Sequence, residues 1–339
     1  MEGEKRTREY GIDVARGIAI FLVVIGHTSA PLSLPNNFAF SVHLTLFFVL
    51  SGYLMRPERY AFWEYVKKRA FRLLLPYFLF ALTSAIKNIQ NFPLQLASAL
   101  FCSGKINSVL PLLPDQPWFL PCLFLSELVF FGVRKLERFS FGKWVEVPLC
   151  LLLSACGFLL TRIHYLPWSI DIALFVQIFL CAGMLLKRSG LLQTAVFLRG
   201  ALCALFAALW IFAVVYATQT GQAISYVLSL NERNIALPSL VLSCFGSFSV
   251  LLFSSLLGQV GYLRAPFAYL GKISIVVYLF HLSGFDFSLL VQGWVWNALL
   301  RIAYCCLLAE FFRLLPFVRD IYGLPPRFSW RELWARLQA

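Results

Sequence analysis

The chain has 339 residues, of which 60% are hydrophobic, 17% aromatic and only 13% charged, with a formal net charge of +13. A water-soluble domain is typically about 45–50% apolar and about 25% charged, so a soluble enzyme, a disordered chain and a disulfide-stapled secreted scaffold are excluded together. In a membrane protein the basic excess is a topology signal rather than a nucleic-acid footprint, and no nucleic-acid partner is expected.

At about 20 apolar residues per membrane-spanning helix, this composition supplies about ten spans and leaves little for a separate soluble domain. Apolar runs bounded by Pro, Gly or charge fall near 13–33, 38–56, 68–91, 117–134, 145–162, 166–187, 197–217, 236–258, 264–284 and 288–317. The expected fold is therefore all-α, a polytopic integral membrane helical bundle of about ten transmembrane helices lying in the lipid bilayer. A cytoplasmic segment over 1–12 precedes the membrane domain at 13–317, and a tail follows over 318–339. The charged start, Met1 to Glu9, leads directly into apolar sequence with no small-residue cleavage site, which reads as a first span and not as a removed signal peptide. The nine cysteines mostly lie within apolar runs without metal-ligand spacing, so they read as packing residues and no metal is expected.

Ionisable residues inside spans are costly and mark candidate functional sites. In the first run, Arg16 and His27 are eleven positions apart. At 3.6 residues and 5.4 Å per turn this places them on one helix face about 16 Å apart. Gly17 and Gly26 keep that helix slim enough for close approach by a neighbour or a ligand. His43 stands at the opening of the second run, on the side where the first ends. Arg69 and Arg72 begin the third and, three apart, share a face; they are either topology charge or a phosphate clamp. The stretch 92–116 is too interrupted to span and reads as an interfacial or re-entrant piece. Trp118 opens the fourth run, with Glu127 deeper in it; Asp171 starts the sixth, His164 lies in the loop before it, and His281 closes the ninth.

Of the 29 Lys and Arg, only Lys87, Lys105, Arg162 and Arg233 fall on the side opposite the termini, while Arg16, Lys272 and Arg301 lie within apolar runs. The positive-inside rule then puts both termini in the cytoplasm. Most of the titratable membrane groups consequently gather in the outer leaflet, as a general base facing an extracytoplasmic substrate would require. A proton-coupled transporter of a small molecule or glycan precursor would use a similar pattern, although no internal repeat with matching broken helices is visible.

Taken in order, Arg16 and His27, the Phe47-Phe-Val-Leu-Ser-Gly-Tyr53 element, Arg69-x-x-Arg72, Pro76-Tyr77, Trp118-Phe-Leu120, Asp171 with Gly183 and Lys187, and Ile273 to His281 resemble the membrane-bound acyltransferase-3 family. The resemblance runs from about residue 10 to 317 and is nearest in kind to the fucose 4-O-acetylase-like branch. It implies a multi-pass enzyme of a bacterial-type cell membrane that moves an acyl group, usually acetyl, from cytoplasmic acyl-CoA to a hydroxyl of a cell-surface glycan or lipid-linked sugar. Acetyl-CoA is then the donor substrate, and no cofactor is bound permanently. The family pattern assigns catalysis to Arg16 and His27, brings Phe47, Phe48, Ser51, Gly52 and Tyr53 into its second element, and matches its Arg pair to Arg69 and Arg72. On this reading Arg69 and Arg72, with Arg16 nearby, take the donor phosphates, and His27 acts as general base or becomes acetylated itself. His43, Glu127, Asp171 and His281 are the candidates to orient the imidazole or bind the sugar, with Trp118, Tyr53 and Tyr278 as stacking surfaces. Many members carry an additional hydrolase-like domain; the chain ends at Ala339 without one, so a stand-alone transferase is expected.

Overall fold

The computed structural model describes residues 2–101, 117–139, 142–163, 166–221, 237–283 and 287–325. Lys105, His164, Arg233, the stretch 102–116 and the tail from 326 lie outside the described residues. The regular elements among the described residues are all helical, with no strand among them. The chain runs through α1 (Glu2–Thr28) and α2 (Leu34–Leu54). Next come α3 (Phe62–Arg69), a π-helical turn (Ala70–Leu74) and α4 (Leu75–Lys87), which continue one another. Then follow α5 (Phe92–Phe101), α6 (Phe119–Lys135), α7 (Gly142–Ile163), α8 (Ile170–Phe175), α9 (Gln177–Ser189) and α10 (Val196–Gln219). The last elements are α11 (Leu237–Leu257), α12 (Gly261–Lys272), α13 (Ser274–Phe280), α14 (Trp294–Leu314) and α15 (Pro316–Ile321).

Seven of the described helical runs are long and apolar enough to cross a membrane, and nine if each of two bent pairs forms one span. The bends are 48° between α8 and α9 and 60° between α12 and α13, within the apolar runs 166–187 and 264–284. The run 117–134 becomes α6, whose 17 residues extend about 26 Å at 1.5 Å per residue, the short end for a span. α5 has 10 residues, about 15 Å, and does not reach across a bilayer. α2 begins at Leu34, before the apolar run proper, because Pro35 fits the first turn of a helix. His43 therefore lies about two and a half turns inside α2, and not at its mouth as the hydropathy boundary predicts.

The helices that matter most are the most enclosed. α2 is 72% buried over its spanning window and α1 56%, against 11% for α10, which turns Phe197 and Phe212 outward. Lipid tails are as apolar as the side chains, so helix pairs in a bilayer are held by close packing rather than by the hydrophobic effect. Glycines supply that closeness here. A Cβ on Gly17 would run into the Phe267 carbonyl and one on Gly271 into the Asp13 carbonyl, so α1 and α12 meet backbone to backbone. Gly52 against Leu180 and Gly183 against Val49 join α2 to α9 in the same way. Asn36 closes the α1–α2 hairpin by donating from Nδ2 to the Gly26 carbonyl at 2.9 Å. The bend at Ile273 then lays α13 against α1 and α14, bringing the chain near Tyr278 and His281 to the helix that carries Arg16 and His27.

Candidate active site

One face of α1 links two polar regions. At its basic end a cavity of about 840 Å³ is lined by Arg16, Lys68, Arg69, Arg72 and Lys272, with Asp13 and Asp320 as the acidic side chains. That volume lies within the usual range for small-molecule sites, about 300–1,000 Å³. Arg69 and Arg72 reach it although Arg72 sits in the π-helical turn, where the three-residue spacing no longer follows an α-helical face. π-turns of this kind recur at functional sites.

The cations are held differently. Arg69 donates from Nε and one terminal nitrogen to the two carboxylate oxygens of Glu127 on α6. This is the side-on, two-pronged geometry that suits a guanidinium to a carboxylate. Tyr65 Oη donates to the same carboxylate at 3.5 Å, and the Glu127 side chain is only 3% exposed. Arg16 has a looser tie to Asp13, at 3.5 Å. Lys68 donates to the Tyr60 hydroxyl and lies over its ring. Arg72 and Lys272 are both exposed to the cavity. The wall near Arg72 comes from the far end of the sequence, Asp320 to Pro325, in the stretch that hydropathy assigns to the tail. Tyr322 there stacks on Phe312 at 5.0 Å between ring centroids, and burial pushes its phenol up to about 12, so it stays neutral.

At the other end of α1 three histidines share one arrangement. His27 Nδ1 meets the Val23 carbonyl at 2.8 Å, and His43 Nδ1 the Ala39 carbonyl at 2.7 Å. His281 Nδ1 meets those of Val277 at 3.0 Å and Tyr278 at 2.9 Å. A carbonyl can only accept, so each Nδ1 carries a proton, and in the neutral form of each ring Nε2 is the nitrogen with the lone pair. The rings of His27 and His281 are 5.0 Å apart; Phe40 touches His27 at 5.6 Å and His43 at 5.0 Å. His43 and His281 are buried, while His27 is accessible. His281 Nε2 is buried with no hydrogen-bond partner among the described residues. Arg301 on α14 donates to the His281 carbonyl at 2.7 Å and to Asn297 Oδ1 at 2.7 Å. Among the described residues no group of His, Cys, Asp and Glu is arranged to hold a metal ion.

A line of rings connects the two ends. Tyr278 lines the cavity, accepts from the Phe119 N–H at 3.1 Å, and lies 6.5 Å from the His281 ring. Ser51 also lines the cavity, and Trp118 packs edge-on against Phe119 behind that lining at 6.4 Å. Tyr53 is buried in the α2–α9 contact, 2% exposed. Asp171 is buried on α8, which packs on α6 and α7; neither the cavity lining nor the histidine group includes it. Glu127 binds Arg69 and Tyr65 rather than an imidazole. Sequence reasoning gave no role to Lys272 or Arg301, yet both are among the three cations it found inside apolar runs, and that signal was sufficient to single them out. Asp13 and the 320–325 segment carry no such signal, because only tertiary folding brings them to the cavity.

A family model described as an acyltransferase domain matches residues 9–316. No curated protein matches the chain, and no solved structure does.

Proposed function

Because the chain belongs to this acyltransferase family, we propose that it is a multi-pass membrane O-acetyltransferase of the fucose 4-O-acetylase-like kind. It would draw acetyl-CoA from the cytoplasm and acetylate a hydroxyl of an extracytoplasmic or lipid-linked carbohydrate, in a bacterial-type cell membrane. The carrying observation is the pairing along α1 of a cation-lined cavity with an accessible histidine whose Nδ1 is engaged by the Val23 carbonyl, which leaves Nε2 as the nitrogen for chemistry. About 16 Å of helix separates them. Family membership supports transfer over the transport alternative.

In this reading the donor's phosphates rest on Arg72, Lys272 and Arg16, with Arg69 adding charge and the N–H groups that Glu127 leaves free. Guanidinium forks match phosphate oxygens, and phosphates cannot enter lipid, so the charged half of the donor stays at the basic end. The slender pantetheine arm then runs past Tyr278 and Phe119 and presents the thioester to His27. His27 Nε2 takes the proton of the acceptor hydroxyl as its oxygen attacks the thioester carbonyl. The tetrahedral adduct collapses with loss of the C–S bond, and the departing thiolate receives that proton from the imidazolium. The Nδ1–H bond to Val23 keeps the ring in the required tautomer throughout. An acetyl-histidine route would use the same Nε2 as nucleophile, and acid-quenched single turnovers lacking acceptor separate the two by trapping labelled protein or not.

The test is transfer of radiolabel from acetyl-CoA to candidate glycans by the purified protein. Wild type should label an acceptor and His27→Ala should not. Retained transfer by a folded His27→Ala protein would sink the role given to His27. An inability of the wild type to bind acetyl-CoA would sink the donor assignment.

A further inference from the structure

Gly323 follows α15 in the left-handed region, at φ +61°. The Gly323 N–H donates to the Asp320 carbonyl at 3.2 Å and the Leu324 N–H to the Arg319 carbonyl at 3.0 Å, the pair of bonds that closes a helix with a glycine at its first non-helical position. A glycine at that position is therefore explained by the turn alone. What the turn does not explain is the neighbour: a Cβ on Gly323 would take the place of the Arg72 guanidinium, which would have to swing away from the turn. Arg72 lies against the bare backbone of this turn, and both line the cavity. The turn itself is firmly seated. Ile321, Tyr322 and Leu324 are buried, and Tyr322 stacks on Phe312 and meets Phe280 edge-on at 5.9 Å. A fixed wall with no side chain at one point is a seat for a flat guanidinium, and Arg72 otherwise has a long, freely rotating stem.

We propose that Gly323 is a positioning residue of the donor site: its missing side chain lets the turn after α15 hold the Arg72 guanidinium in the cavity, where it meets a phosphate of acyl-CoA. This rests on the cavity being the acyl-CoA site, and it adds that the 320–325 segment forms part of that site. The two explanations for the glycine differ in what they tolerate. Asn adopts the left-handed conformation far more readily than Ala, so a purely conformational glycine accepts Asn. A glycine that seats Arg72 accepts neither.

The experiment measures equilibrium binding of coenzyme A to the full chain in nanodiscs for wild type, Arg72→Ala, Gly323→Ala, Gly323→Asn and the Arg72→Ala/Gly323→Asn pair. Arg72 is exposed to the cavity as Lys272 is, so loss of its contact predicts a roughly two- to fivefold weaker affinity for Arg72→Ala at low salt. Gly323→Asn should weaken binding by a similar factor, and the double variant should bind no worse than Arg72→Ala alone. Wild-type affinity in Gly323→Asn, or losses that multiply in the double variant, would overturn the proposal while leaving the donor site in place. No coenzyme A binding by wild type would instead overturn the donor reading itself. Because the Arg72 side chain can swing clear, Gly323→Asn should keep the wild-type thermal midpoint while losing affinity; a lowered midpoint that accounts for the lost affinity counts against the seat.

Discussion

The two ends of α1 are built by opposite means. At the histidine end, order comes from short-range chemistry. Each imidazole is pinned by a carbonyl one turn back on its own helix, so the tautomer and the ring direction follow from local sequence. At the basic end, side chains from α1, α2, α3, the π-helical turn, α6, α12, α13 and the 320–325 segment converge on one cavity, and only tertiary packing sets their spacing. The contrast suggests a division of labour, with a rigid acceptor atom at one end and an adaptable, charged enclosure at the other. Altering the histidine end should change the chemical step with little effect on donor binding, and altering the basic end should do the reverse.

The largest expected effect is His27→Ala. General base catalysis is typically worth about 10²- to 10⁴-fold, so kcat should fall by that factor while coenzyme A affinity stays at the wild-type value. A matching loss of coenzyme A affinity would mean that the two ends are one site and that the comparison is false.

Next comes Glu127→Ala, which leaves the Arg69 guanidinium without its carboxylate. Breaking a buried ion pair by removing one partner costs about 3–5 kcal/mol. The low end applies because the Arg69 side chain is 26% exposed through the cavity. A thermal midpoint lowered accordingly is expected, and Arg69→Met/Glu127→Leu should recover most of it, since a well-packed apolar pair can replace a buried ionic one. An unshifted midpoint for Glu127→Ala would show that the pair is dispensable and that Arg69 is free for phosphate alone.

How far each end could be read from sequence follows from this difference. The face shared by Arg16 and His27 needs only helical geometry, and both residues stand where eleven positions along one unbroken helix put them. That His281 would meet His27 could not be read from spacing, because the contact depends on the 60° bend at Ile273. Periodicity carries no information about such a bend. The run 38–56 misplaced His43, since hydropathy finds the apolar core of a span and misses the polar turn containing Asn36 and Asn37 that the helix adds before it. The Arg69–Glu127 pair joins residues 58 apart in sequence, and Gly323 reaches Arg72 from near the other end of the chain. Each of these depends on a partner that local patterns do not name. The charge signal was more informative than its topological use implied. Arg16, Lys272 and Arg301, the cations that the positive-inside pattern leaves over, line the cavity or cap the histidine group.

A smaller effect belongs to Asn36→Ala. Its Nδ2 holds the Gly26 carbonyl next to His27, and its Oδ1 accepts from the Leu32 N–H at 3.2 Å. Losing a buried hydrogen bond of this type costs about 1–2 kcal/mol. Loosening this hairpin should lower kcat with coenzyme A affinity intact, and Asn36→Asp, which keeps the acceptor and loses the donor to Gly26, should behave like Ala. If Asn36→Asp instead keeps full activity, the hairpin contact does not govern the placement of His27.

The smallest expected effect tests the basic end in its own terms. Lys272 is exposed to the cavity, so its attraction for a donor phosphate acts through a high-dielectric medium. Exposed ion pairs contribute about 0–1 kcal/mol, which makes Lys272→Ala only about two- to fivefold weaker for coenzyme A at low salt. The Debye length falls from about 10 Å at 0.1 M salt to about 3 Å at 1 M. Screening should therefore narrow the gap between wild type and Lys272→Ala as salt rises, until the two affinities converge. The His27→Ala defect in kcat, measured at saturating donor, arises from a proton transfer between groups in contact and should not change over the same range. A Lys272→Ala deficit that persists at 1 M salt would mean that the ammonium makes a desolvated contact with the donor, and the basic end would then be as tightly organised as the histidine end.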